Sequence, residues 1–151
     1  AFGRLGNFIN GELWGKTSDL PWAMIFPKSL AARGWSAETV NDLYAQGLLN
    51  VTARHPSQLY EMLLEGVLLF VIVWRYSSVP RPRWAVAGLF ALLYGVFRFG
   101  LEFVGELEPG TDYLAFGWLT KGQVLSLPMI VMGLSLLGIA RRNARLASKP
   151  A

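Results

Sequence analysis

Polar and apolar positions divide the chain into a mixed first third and three nearly uncharged stretches. Residues 57–74 read SQLYEMLLEGVLLFVIVW, with Glu61 and Glu65 as their only charges. Residues 84–104 read WAVAGLFALLYGVFRFGLEFV, 21 residues with Arg98 and Glu102 as their only charges. Residues 122–140 read GQVLSLPMIVMGLSLLGIA and carry no charge. A helix needs about 20 mostly apolar residues to cross a bilayer core of about 30 Å. The second and third stretches meet that length. The first opens with a polar turn and begins at the interface. Buried helices of a soluble protein are the competing reading, but an apolar run with no polar face has nothing to show water. Glycines recur inside the runs (Gly66, Gly88, Gly95, Gly100, Gly133, Gly138), as bilayer helices tolerate better than soluble ones. Pro128 should kink the third helix or mark its first turns. The pattern thus predicts an all-α integral membrane protein with three transmembrane helices.

Residues 1–56 have a different character, with five basic and four acidic residues. Asp19-Leu20-Pro21-Trp22 and Phe26-Pro27 read as irregular turns. Ser36 is positioned to cap a short helix with Glu38 in its first turn. Val40, Leu43 and Tyr44 follow at helical spacing, and Gly47 ends it. Trp14, Trp22 and Trp35 suit headgroup depth. This segment is expected to form a glycine- and asparagine-rich motif followed by an outward-facing arm. The span 57–140 then holds the membrane helices, and 141–151 forms a basic tail.

Charge orients this arrangement. Arg75, Arg81 and Arg83 lie between the first two runs, and Arg141, Arg142, Arg145 and Lys149 follow the third. The link between the second and third runs carries Glu106, Glu108 and Asp112 against Lys121 alone. The positive-inside rule places both basic segments, and therefore the C-terminus, in the cytoplasm. A nucleic-acid patch is the alternative reading of these arginines, but they flank apolar runs instead of lining one face. The net charge is +4 over 151 residues, of which 53% are hydrophobic and 16% charged, a composition that excludes disorder. The absence of cysteine excludes disulfides and a cysteine nucleophile in this chain, and a single histidine argues against a histidine metal cluster. The chain opens without methionine on Ala1-Phe2-Gly3-Arg4 and enters a motif at once, which reads as the cut end of a segment within a longer protein.

Some polar residues are out of place in such a chain. Arg98 lies within an apolar run, where a bare arginine costs roughly 2.5–3.5 kcal/mol on insertion scales. Tyr94, Arg98 and Glu102 fall one turn apart along one helical face. Glu102 can pair with Arg98 one turn away while the remaining guanidinium edges face a ligand, and the planar fork of arginine matches phosphate oxygens. Glu61 and Glu65 read as solvated residues near the outer interface. Ser57 reads as an N-cap, and His55 as a hydrogen-bonded structural residue. The opening run, Gly3-Arg4-Leu5-Gly6-Asn7-Phe8-Ile9-Asn10-Gly11-Glu12-Leu13-Trp14-Gly15, combines donors and acceptors with glycines that permit close backbone approach. It lacks the Gly-Lys-Ser/Thr of a nucleotide-binding loop. Its generic reading is a polar re-entrant or helix-end segment lining a cavity.

Three of these segments together resemble one family. The run from Gly3 to Glu12 is similar to the hallmark motif of prolipoprotein diacylglyceryl transferase. His55-Pro56-Ser57-Gln58-Leu59-Tyr60-Glu61 resembles a second segment of that family. Tyr94-Gly95-Val96-Phe97-Arg98-Phe99 with Glu102-Phe103 resembles a third. The resemblance implies a seven-helix enzyme of the bacterial inner membrane, of which this chain matches the C-terminal part. It implies transfer of a diacylglyceryl group from phosphatidylglycerol to the cysteine thiol of a lipobox in a prolipoprotein signal peptide, with release of glycerol-1-phosphate and no cofactor or metal. Arg4, Asn7 and Gly15 match essential positions of the first motif and Glu12 an important one. Tyr94, Arg98 and Glu102 match important positions of the third. The resemblance therefore implies catalytic roles for Arg98, Arg4, Tyr94 and Glu102, and substrate binding by Arg4, Asn7, Glu12, Gly15 and Arg98. A histidine-bearing segment implicated in activity precedes the part matched here, and His55 is not that histidine. The alternatives are a membrane scaffold or transport module and an inactive fragment of the transferase.

Overall fold

A computed structural model describes residues 1–106 and 114–147. Glu108, Asp112 and Lys149, which contribute to the charge pattern, lie outside the described residues. Among those described, every regular element is a helix: α1 (Phe2–Ile9), α2 (Pro27–Ala31), α3 (Ala37–Ala45), a 3₁₀ turn (Leu49–Thr52), α4 (Ser57–Glu61), a π segment (Met62–Leu68), α5 (Leu69–Ser77), α6 (Ala85–Leu101) and α7 (Lys121–Ala147).

α4, the π segment and α5 run on as one helix, Ser57–Ser77. This helix and α7, at 21 and 27 residues, are long and apolar enough to cross a membrane. Large apolar side chains on both point outward: Phe70, Leu125 and Val131 are exposed. A soluble core would bury them, whereas a bilayer is their matching solvent.

The second run ends earlier than its composition predicts. α6 has 17 residues and starts after Trp84, whose φ of 74° is left-handed. At about 1.5 Å per residue it rises about 26 Å, near the lower limit for a span. Its end is set by tertiary structure. Beyond Leu101 the chain turns so that the Val104 carbonyl accepts a hydrogen bond from the Lys16 amide at 3.0 Å. Arg98 therefore occupies the last turn of α6 and not the interior of a longer helix. A cation there faces the negative end of the helix dipole.

α6 and α7 pack in antiparallel fashion. Gly88 meets Leu137, Leu92 meets Gly133, Gly95 meets Ile130, and Glu102 meets Gly122. The buried face of α6 is built from Ala85, Gly88, Ala91 and Gly95, small residues that let two backbones approach without hydrocarbon between them. At Gly133 the approach is closest, since an added Cβ would collide with the Leu92 backbone. This register brings the start of α6 and the C-terminal part of α7 to one end. Arg83, Arg141, Arg142 and Arg145 thus gather there, and Arg98, Glu102 and Lys121 at the other. Pro128 is accommodated inside α7, where it removes the N–H that Val124 would otherwise receive.

The arm lies across the second end. Its strand-like pairings are isolated: Gly15 with Gly105, and Thr17 and Met24 with Arg54. Ser36 caps α3 as expected, its Oγ accepting from the Thr39 amide at 3.2 Å. Gly47, with φ of 68°, follows the end of that helix. Ser57 is not the cap of its helix. Pro56 holds the N-cap position, and the Ser57 hydroxyl donates to the Leu13 carbonyl at 3.1 Å.

The close packing at Gly133 has a measurable consequence. In the full-length protein, Gly133→Leu should destabilise by at least about 1–3 kcal/mol through overpacking, seen as a lowered midpoint of thermal unfolding in detergent. Gly138→Leu, one turn on and facing open space, should leave the midpoint near the wild-type value.

Candidate active site

The first motif is mostly helix. α1 carries Gly3 to Ile9, ends at Asn10, and turns through Gly11 with φ of 62°. The chain then runs under the ends of the membrane helices. Gly15 is the crossing point: its amide donates to the His55 carbonyl at 2.9 Å, and its carbonyl accepts from Arg54 Nη1 at 3.2 Å. A Cβ at Gly15 would stand 2.7 Å from the Val104 carbonyl oxygen and 2.8 Å from the His55 Cβ. No side chain fits there, so the arm and the loop after α6 meet backbone to backbone.

Beside this crossing is a polar cavity of 380 Å³, with Arg4, Trp14, Glu61, Arg98, Glu102 and Lys121 in its wall. Its centre is one carboxylate. Arg4 Nε lies 2.6 Å from Glu61 Oε2, and Arg98 Nη1 lies 3.2 Å from the same oxygen. Arg98 is also 3.9 Å from Glu65 and 3.7 Å from Glu102. Glu61 and Glu65 side chains are each 12% exposed. They are therefore not the solvated interfacial pair that their polar flank predicts. A carboxylate in an apolar run is costly without a partner; Glu61 meets both arginines, and Glu65 has Arg98 at 3.9 Å. Glu61 ends α4 where the π segment begins, a local widening that recurs at functional sites.

The near end of α7 closes the cavity. Thr120 and Gln123 form a reciprocal capping box: the Thr120 amide donates to Gln123 Oε1 at 3.0 Å, and the Gln123 amide to Thr120 Oγ1 at 3.1 Å. Thr120 Oγ1 in turn donates to Glu102 Oε1 at 2.9 Å. The Glu102 carboxylate rests against Gly122, where any Cβ would overlap it. Glu102 is thus held at the positive end of α7, and its other oxygen faces Arg98.

The sequence-predicted residues divide into groups. Arg4, Arg98 and Glu102 line the cavity together, and Gly15 lies beneath it. Tyr94 is not in the cavity wall; its ring stacks on Phe90 at 6.1 Å. Glu12 is also outside, exposed and paired with Lys28 at 2.7 Å, while its carbonyl accepts from Gln58 Nε2 at 2.5 Å. The Asn7 carbonyl accepts from the Glu12 amide at 2.9 Å, which shapes the turn after α1. His55 is hydrogen-bonded as expected, with Nδ1 3.3 Å from the Tyr60 hydroxyl.

Several polar residues were not singled out from sequence. Arg54 is buried, pairs with Glu106, and lies 5.8 Å from the Trp14 ring centroid. Gln58 and Gln123 are fully buried. Their signals differ in strength. Thr120 and Gln123 carry capping-box spacing. Glu61, read from sequence as solvated, meets the criterion that selected Arg98: an ionisable residue in an apolar run. Arg54 has no such signal.

The sequence model of the family described as prolipoprotein diacylglyceryl transferase matches residues 1–139. The chain belongs to that family. A phosphatidylglycerol–prolipoprotein diacylglyceryl transferase of Xanthomonas campestris pv. campestris (strain B100) is 56% identical over 141 residues, 93% of this chain and 48% of the relative. The protein of the same name from Xanthomonas oryzae pv. oryzae (strain PXO99A) is 55% identical over the same shares. The chain thus spans about half the length of these curated relatives. In this chain the three motifs that suggested the family occupy α1 and its following turn, α4 with the two residues before it, and the end of α6 with the two residues after it.

The crossing at Gly15 predicts how the arm is held. In the full-length protein, Gly15→Ala should force apart the Val104 and His55 backbones. Limited proteolysis between residues 16 and 56 should then proceed about fivefold faster, reflecting easier local opening. Unchanged cleavage would show that the crossing does not restrain the arm.

Proposed function

We propose that the full-length protein moves the diacylglyceryl group of phosphatidylglycerol onto a lipobox cysteine of a prolipoprotein, the first step of bacterial lipoprotein maturation. The observation that carries this reading is the meeting of Arg4 and Arg98, from separate motifs, in one polar cavity. A headgroup phosphate offers what two guanidinium groups recognise, and arginine keeps its charge where lysine would lose its proton. The cavity shares Leu101 with an apolar groove of 480 Å³ lined in part by Leu63, Leu64, Val96 and Phe97. Polar and apolar compartments side by side suit a lipid, with headgroup in one and acyl chain in the other.

In the reaction, the substrate's thiolate sulfur attacks the glyceryl carbon next to the phosphate ester. A carbon–sulfur bond forms, the carbon–oxygen bond breaks, and glycerol-1-phosphate leaves with the bonding electrons. Arg98 and Arg4 hold the phosphate and stabilise the charge that collects on its oxygens. Glu102 positions Arg98. Tyr94 lies outside the cavity wall, so headgroup orientation or proton relay by it rests on the family resemblance alone. Asn7, Glu12 and Gly15 serve binding by fixing the backbone that presents Arg4. The thiol must lose its proton to attack, and the family resemblance assigns that base to the preceding histidine-bearing segment. Further partners are the signal peptide and the surrounding membrane lipids. The protein resides in the inner membrane as a multi-pass protein, with the end bearing Arg141, Arg142 and Arg145 in the cytoplasm.

The direct test places Arg98→Ala and Arg98→Lys in the full-length enzyme and follows lipidation of a precursor in membranes. Arg98→Ala should reduce turnover by about 10²–10³-fold, the usual scale for a lost charge-stabilising donor. Arg98→Lys should recover part of it, because the charge remains while the fork is lost. Normal turnover of Arg98→Ala would overturn the phosphate-clamp role.

A further inference from the structure

We infer that Glu61 is the resident anion of the phosphate site: it occupies the place between Arg4 and Arg98, and a headgroup phosphate binds by exchanging with it. This rests on the reading of the two arginines as a phosphate clamp.

Charge and geometry both favour an exchange. The cluster contains two cations, Arg4 and Arg98, and three carboxylates, Glu61, Glu65 and Glu102. With all five ionised its charge is −1, and Lys121 and Glu106 in the same wall offset each other. Such a cluster does not attract a phosphate anion until a carboxylate withdraws. Glu102 is not free to do so, because Thr120 and the start of α7 hold it. Glu65 stands 3.9 Å from Arg98, beyond hydrogen-bond reach. Glu61 alone is within bonding distance of both arginines, and it bonds them through one oxygen, Oε2. A phosphate oxygen that takes this position inherits both cations.

The local backbone suits a carboxylate that moves. Glu61 sits at the boundary between α4 and the π segment, where hydrogen-bond registry changes. In the empty site Glu61 keeps two arginines from facing each other unpaired. In the occupied site it releases them. Glu61 thus sets the affinity of the clamp: it preorganises Arg4 and Arg98, and it competes with the ligand they are arranged to bind.

The test measures KM for phosphatidylglycerol, kcat, and product inhibition by glycerol-1-phosphate in the full-length enzyme in mixed micelles. Glu61→Gln keeps the shape and removes the competing charge. It should lower KM by about fivefold and lower the inhibitory concentration of glycerol-1-phosphate to a similar degree. A merely structural role would raise both. If Glu61→Gln fails to fold, Glu61→Asp retains the charge, withdraws it from Oε2's position, and should shift both values in the same direction to a smaller extent. Arg98→Ala is measured alongside. Lost turnover in Arg98→Ala with raised KM in the Glu61 variants would overturn the exchange and keep the clamp. Normal turnover in Arg98→Ala would remove the clamp and the exchange with it.

Discussion

One carboxylate oxygen joins the separate parts of this chain. Glu61 Oε2 receives Arg4 from α1 and Arg98 from α6, so three elements distant in sequence share a single electrostatic contact. In water such a pair contributes little. In a partly buried, apolar setting each charge needs the others, since removing one partner leaves an uncompensated ion. The aim of Arg4 and Arg98 toward one point follows from that mutual requirement.

A second set of constraints frames the first. The α6–α7 contact is steric, made by glycines and alanine, and it has no charge to saturate. It fixes the height of Arg98 against the start of α7, where the Thr120–Gln123 box and Glu102 form a rigid wall. Beneath the cavity, the Gly15 crossing joins the arm to the loop after α6 through backbone contacts. Packing therefore sets position, while ion pairs set orientation. These are separable by mutation because they involve different residues.

The helical runs, the short arm helix with its Ser36 cap, and the side to which the arginines gather were legible because each depends on local pattern. So were Arg98 and Glu102, whose spacing places them on one face of one helix. The partners of Glu61 were not legible. Its neighbours in sequence suggest an interface with water, and only the approach of α1 and α6 removes that water. The length of α6 failed for a related reason: composition favours a longer run, but the Val104 to Lys16 hydrogen bond ends it. Tyr94 and Glu12 belong to the same motifs as Arg98 and Arg4, yet Glu12 pairs with Lys28 and Tyr94 stacks on Phe90. Motifs state which residues matter together; they do not state which of them point the same way.

The antiparallel register of α6 and α7 also acts as a depth gauge. Past Ala140, α7 continues beyond the start of α6 and carries Arg141, Arg142 and Arg145. Arginines at a membrane surface resist being drawn into hydrocarbon. The close contacts at Gly88, Gly95 and Gly133 tie that collar to the opposite end of the pair. A slip of one helical turn would move Arg98 by about 5.4 Å, a large part of the thickness of a headgroup layer. The basic end of α7 and the cavity, although at opposite ends of the helix pair, are thus tied to one register.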